Sequence, residues 1–229
     1  MPWVRAAAVI NLTEVVRINI GTRRRLIAKR TGAHVSAAPE EIAGRSRIPA
    51  DRYDPVAKTL HWLMALAILF LIGFGLYMTT QPASLRTFRL FDFHKAVGIT
   101  LMVLAVLRLA WRFYRPPPPV LTEGVKPWEL WLAHVVHVTL YTLMIVIPIV
   151  GWIGASASGL PMSFFGLAPI PALIGSSEQI QEIALSLHSW LNWLFMAAIA
   201  LHVAGALKRH FVLRDATLRR MLPFGSTRN

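Results

Sequence analysis

The chain has 229 residues, 55% of them hydrophobic and only 15% charged, with a formal net charge of +13. A water-soluble domain would carry more charge and shorter apolar runs, so the composition points to an integral membrane protein. The absence of cysteine excludes disulfides, iron–sulfur clusters, thiolate metal sites and cysteine nucleophiles, which leaves histidine, carboxylate or methionine to hold any metal or redox centre.

Residues 1–50 hold a basic cluster, TRRRLIAKR (Thr22–Arg30), then polar sequence containing Ala, Pro and Gly. No apolar core follows the charges, so the segment does not read as a cleaved signal. It is expected to be a separate basic extension, either a disordered cytoplasmic tail or the product of an upstream start site. Residues 3–20 can form a short amphipathic helix on the membrane surface. His34, within this extension, is expected to have no function.

Four apolar segments follow, roughly 57–78, 94–113, 130–153 and 186–207, each close to the ~20 residues a helix needs to cross a bilayer core. The first opens at Asp54-Pro55, where Asp caps free amides and Pro suits the first turn, and places His61 about two turns inside. The connection TTQPASLRTFRLFD leads to the second span, with His94 at its outer end and Arg108 and Arg112 at its inner end. RPPPPV (Arg115–Val120) then makes an extended link, because consecutive prolines cannot continue a helix. The third span carries His134 and His137 in its inner half, and Pro148 is expected to kink it near its outer end. The stretch 154–185 is apolar and rich in Gly and Pro. It is too broken to span, and is expected to pack over the outer mouth of the bundle, partly re-entrant. The fourth span, SLHSWLNWLFMAAIALHVAGALKRH (Ser186–His210), carries both His188 and His202.

Charge gives the orientation. Lys and Arg concentrate in residues 1–60, at Arg112, Arg115 and Lys126, and from Lys208 onward, whereas 154–185 has none and the first connection only Arg86 and Arg89. By the positive-inside bias both termini and the second connection are cytoplasmic. The fold class is therefore all-α, an integral membrane four-helix bundle with both termini in the cytoplasm. The basic excess is topological, and no nucleic-acid partner is expected.

The histidines sort by depth. His61, His134, His137 and His202 fall in the inner half, and His94 and His188 near the outer ends. His188 and His202 are separated by ~21 Å along the helix axis and rotated by only about 40°, so both face the bundle interior. His61 matches His202 in depth, and His94 matches His188. Two such pairs suggest two bis-histidine b-type haems stacked across the membrane, since neutral imidazole suits haem iron and a four-helix core is a usual place for it. Gly73, Gly75, Gly98, Gly151, Gly154 and Gly205 would let helices or a porphyrin approach closely. The rival is zinc or copper held by histidine alone, which would need three or four at one depth, and only the inner half has enough. A transporter without haem is the remaining class. His134 and His137 stand three apart on one face. Either could replace His61, hydrogen-bond a haem propionate, line a quinone pocket or pass protons. His210 reads as an interfacial anchor. Trp62, Trp111, Trp128, Trp131, Trp152, Trp190 and Trp193 read as an aromatic belt near the span ends.

The strings RYDPVAKTLHWLM, FHKAVGITLMVLAVLRLAWR, LAHVVHVTLYTLMIVIPIVGW and LHSWLNWLFMAAIALHVAGALKRHFVLRDATLRRMLP resemble the bacterial cytochrome b561 family, four-helix dihaem cytochromes of the inner membrane. The last string is the most specific, with two span histidines at this spacing and a basic tail. The resemblance covers about Tyr53 to Pro223. It implies that 51–223 is a transmembrane dihaem cytochrome b domain, with 224–229 a C-terminal tail. It also implies that His61 and His202 ligate a cytoplasmic-side haem, and His94 and His188 a periplasmic-side one. Members exchange electrons with the quinone pool, and one kind oxidises superoxide at the outer face while reducing ubiquinone. The expected activity is thus electron carrier or oxidoreductase, with ubiquinone as exchangeable partner and no catalytic residue assigned. The donor is a small molecule or a protein, and Arg86, Arg89 and Lys95 could attract a small anion. Protons for quinone reduction could come through His134, His137, Glu123 or Glu129. The alternative is a cytochrome b anchor subunit of a hydrogenase or dehydrogenase complex.

Overall fold

The computed structural model describes residues 52–222. The basic extension 1–50, with the readings of 3–20 and His34, and the tail 224–229 lie outside those residues. The first helix, α1 (Pro55–Thr79), starts where the sequence predicts. Asp54 accepts from the Val56 amide at 2.8 Å, and its other carboxylate oxygen accepts from Trp111 Nε1 at 2.7 Å. One side chain thereby caps α1 and ties it to the end of α2 (Leu85–Tyr114).

α2 begins nine residues before its expected apolar span, at Leu85 rather than at 94. Ser84 caps it by accepting from the Thr87 amide at 3.1 Å. Most of the segment read as a connection is therefore helix, too polar in stretches to register as apolar. The third helix, α3 (Pro127–Ala157), continues past Pro148, which has no amide to donate to the Met144 carbonyl. The fourth, α4 (Glu178–Phe211), also starts earlier than expected, capped by Ser177. A short helix, α5 (Thr217–Met221), follows and is held by Trp62 Nε1 donating to the Met221 carbonyl at 2.9 Å.

Among the described residues, four helices are long and apolar enough to cross a membrane, as the sequence predicts. Leu63, Leu66, Leu69 and Phe70 on α1 are all more than half exposed, an apolar surface that a soluble protein would not tolerate but that lipid covers. The all-α expectation misses one feature. The α3–α4 connection contains a two-stranded antiparallel hairpin, β1 (Met162–Phe164) and β2 (Ala168–Ile170). Phe165 and Gly166 at its tip have φ of 52° and 74°, the two left-handed residues of a tight hairpin turn. The Phe165 ring packs on Phe93, 5.9 Å between centroids.

The hairpin packs on the end of the bundle as expected of this connection. Trp152 Nε1 donates to the Pro171 carbonyl at 2.9 Å, and the Leu173 amide to Ser156 Oγ at 3.0 Å. The two ends of the bundle can be told apart as the hairpin end and the terminal end, where residues 52 and 222 lie. α3 packs closely on α4, α1 on α2, and α2 joins α3, while α1 and α4 make no extensive contact.

Candidate functional site

The two histidine pairs read from depth are both brought together. His61 on α1 faces His202 on α4, with ring centroids 6.1 Å apart and planes at 69°. His94 on α2 faces His188 on α4, 6.3 Å apart at 71°. Each pair bridges two helices that do not pack extensively on one another. Between the pairs lies a packed apolar layer of Leu143, Ile147 and Phe195, with Phe195 midway along α4 between His188 and His202.

The surroundings of the two pairs differ. At the hairpin end the neighbouring helices contribute glycine. A Cβ on Gly75 would lie 3.3 Å from His94 Cε1, and one on Gly151 only 2.9 Å from His188 Nδ1. The absence of that methyl lets His188 Nδ1 approach the Ile147 carbonyl to 3.0 Å. A carbonyl can only accept, so Nδ1 carries the proton and the Nε2 lone pair is free. His94 Nδ1, by contrast, is buried with no hydrogen-bond partner, the kind of unmet group that a site for a further molecule leaves.

At the terminal end the neighbours are polar. His137 on α3 lies 5.0 Å from His202, ring centre to ring centre, and its Nδ1 donates to the Ala133 carbonyl. Arg108 on α2 donates through Nε to the Tyr141 hydroxyl at 3.2 Å. His134 and His137 are both exposed on α3; His137 makes a ring contact with His202, and His134 makes none with either pair. Arg108 and Tyr141 are the site residues that sequence reasoning left aside. The signal was available, a permanent cation within an apolar span.

Other expectations divide in the same way. Trp62, Trp111 and Trp152 donate to partners within the protein, while Trp128, Trp131, Trp190 and Trp193 are 57–74% exposed, as a lipid-interface belt requires. Gly154 packs against Ala184 and Leu185, whereas Gly73, Gly98 and Gly205 have open space where a side chain would be. Glu129 pairs with Lys208 at 3.0 Å, and Lys95 with Asp92 at 2.7 Å. Among the described residues, no three His, Asp or Glu side chains converge in a metal-binding group.

Residues 52–224 match the family model described as prokaryotic cytochrome b561. The chain is 34% identical over 173 residues to cytochrome b561 homolog 2 of Escherichia coli K12, covering 75% of this chain and 92% of that protein. It is 28% identical to the probable superoxide oxidase CybB of Yersinia pestis, covering 75% and 96%. It is 27% identical to cytochrome b561 homolog 1 of E. coli K12, covering 76% and 98%. The chain belongs to the prokaryotic cytochrome b561 family. It is a multi-pass membrane cytochrome with an electron-transfer role, and the family implies b-type haem.

The residues present fit that group. Two imidazoles holding one haem iron between them, each nitrogen about 2 Å from it, would put their ring centres about 6 Å apart. The separations of 6.1 and 6.3 Å meet that condition. The 5.0 Å between His137 and His202 is too short for it.

Proposed function

We propose that this member of the prokaryotic cytochrome b561 family carries electrons across a bacterial inner membrane, from a donor on the periplasmic side to the quinone pool, through two b-type haems. His94 and His188 hold one haem near the hairpin end, and His61 and His202 hold the other near the terminal end. The positive-inside bias turns the terminal end to the cytoplasm. The observation that carries the proposal is the recurrence of one spacing, 6.1 and 6.3 Å, at both ends of a single helix.

Bound haem supplies reversible one-electron chemistry at iron. The chain's own residues do the rest. Ile147 and Gly151 fix His188 in one tautomer and orientation. Leu143, Ile147 and Phe195 keep the layer between the pairs apolar, so electrons can cross where water and protons do not. Arg86 and Arg89 are exposed near the hairpin end and can draw a small anion. Lys95, paired with Asp92, adds less than its sequence position suggests. The name of the Yersinia relative supports superoxide as the donor: the anion gives up one electron and leaves as dioxygen. Ubiquinone takes two electrons and two protons at the terminal end, where His137 is the imidazole outside the pair.

The test is purification of the full chain in detergent, a reduced-minus-oxidised spectrum, and an assay of superoxide-dependent ubiquinone reduction. The reading expects a b-type α-band near ~560 nm and activity from the protein alone. Copurification with a hydrogenase or dehydrogenase subunit, without that activity, would establish the anchor function instead. Absence of the α-band would overturn both.

A further inference from the structure

Arg108 lies ~9 Å inside the terminal end of α2, and no accessible pH removes its charge. A guanidinium at such depth is costly unless something offsets it. Its protein contacts are the Tyr141 hydroxyl at 3.2 Å and the Tyr141 ring, whose centre is 6.0 Å from Cζ. Both are neutral. The carboxylates of the described residues are committed elsewhere or lie elsewhere. Asp92 pairs with Lys95, Glu129 with Lys208 and Asp215 with Arg209, and Asp54 caps α1 and holds Trp111. Glu123 lies in the α2–α3 connection, and Glu178 and Glu182 open α4 at the hairpin end. The histidines that feel Arg108 are His61, His137 and His202, none of which supplies negative charge.

Nor is the side chain directed toward the terminal end, where lipid phosphate would lie. α2 runs from the hairpin end to the terminal end, and helical side chains lean toward the helix N-terminus. Arg108 therefore leans toward the middle of the bundle, where it meets Tyr141. Its Nε is occupied by that hydroxyl, and the outer fork of the guanidinium is left for an acceptor with two oxygens.

We infer that Arg108, backed by Tyr141, is a carboxylate-binding site inside the terminal half of the bundle, and that its ligand is a propionate carboxylate of the haem between His61 and His202. The inference rests on the proposed function, which places a haem there. It adds a consequence that the histidines alone do not give. A fixed positive charge beside one haem favours its reduced state, and the partly buried cation next to the hairpin-end pair, Lys95, is neutralised by Asp92 at 2.7 Å. The terminal-end haem is then the one of higher potential, and electrons run from the hairpin end toward it.

The experiment is a potentiometric titration of the purified full chain, wild type against Arg108→Gln, Arg108→Lys and Tyr141→Phe. Haem content is measured on every sample. In maltoside detergent free of phospholipid, Arg108→Gln should keep both haems and lower one of two midpoints while leaving the other in place. Arg108→Lys, which keeps the charge, should restore most of the shift, and Tyr141→Phe should give a smaller shift of the same midpoint. If Arg108→Gln sheds one haem that Arg108→Lys retains, the charge assignment also stands. Unchanged midpoints, equal movement of both, or loss of the same haem from the Gln and Lys variants alike would overturn it. A shift that occurs only in phospholipid nanodiscs would assign Arg108 to a lipid phosphate and overturn it too. A wild type without haem would instead remove the proposed function itself.

Discussion

His188 on α4 donates through Nδ1 to the Ile147 carbonyl on α3 at 3.0 Å, across a gap that exists because residue 151 has no side chain. Pro148, next along α3, leaves the Met144 carbonyl without its helix donor, whereas the Ile147 carbonyl takes His188 as a donor from the neighbouring helix. The glycine one turn after Ile147 opens the way to that carbonyl.

Gly151→Ala tests this relationship. The new methyl would sit 2.9 Å from His188 Nδ1, closer than any stable contact, so the ring must turn away and lose the Ile147 bond. Loss of a hydrogen bond behind a metal-bound imidazole typically costs about 10- to 100-fold in affinity. The expected result is selective loss of one haem on dilution into haem-free detergent, followed by absorbance, with the other haem retained. Equal retention of both would show that the bond positions nothing.

His137→Ala separates the two candidate partners of His202. The 6.1 Å between His61 and His202 suits a shared iron, while the 5.0 Å between His137 and His202 does not. The variant should keep both haems and slow quinone reduction. His61→Ala should lose one haem. Exchange of these outcomes, read from haem content, would make His137 the ligand.

The histidine pairs were legible in the sequence for a physical reason. Helical rise and rotation are fixed quantities, so the fourteen-residue step from His188 to His202 dictates both their separation and their common face. Depth did the rest, since opposite ends of a span meet opposite ends of its neighbours. What local periodicity cannot report is the rotation of one helix against another. That rotation decides that His137 meets the site and His134 does not, that Gly151 rather than Gly205 faces an imidazole, and that Arg108 finds Tyr141. The hairpin was hidden for a different cause. MSFFGLAPI has no clean polar–apolar alternation, and its turn has Phe165 in a left-handed backbone with its ring packed on Phe93 and Phe164.

Asp54→Ala should destabilise the fold by about 1–2 kcal/mol through loss of the cap, and further because Trp111 loses its acceptor. Trp111→Phe removes only the second contribution. Thermal unfolding in detergent should rank wild type above Trp111→Phe, and Trp111→Phe above Asp54→Ala. Equal midpoints for the two variants would mean the cap contributes nothing.

Asp215 gives stability a defined pH dependence. Burial pushes its pKa up, but hydrogen bonds from Thr217 and the Arg209 guanidinium outweigh that and hold it below the ordinary carboxylate range. Arg209 also donates to the Leu121 carbonyl at 2.6 Å, so this carboxylate anchors the α2–α3 connection to the end of α4. A lowered folded-state pKa stabilises the fold above the ordinary carboxylate range, and the contribution disappears as pH falls through the lowered value. The difference in thermal midpoint between wild type and Asp215→Asn should be constant near neutral pH and shrink only in strong acid. A difference that shrinks between pH 6 and 8 would assign it to another group.

The number of haems and the histidines that hold them decide the proposed function. Haem per chain should be measured by pyridine haemochrome on the wild type and on His61→Ala, His94→Ala, His188→Ala and His202→Ala, each purified as the full chain. The account predicts two per wild-type chain and one per chain in every variant, with His61→Ala and His202→Ala retaining the same spectral component and His94→Ala and His188→Ala the other. One haem in the wild type, or loss that does not follow these pairs, would contradict it.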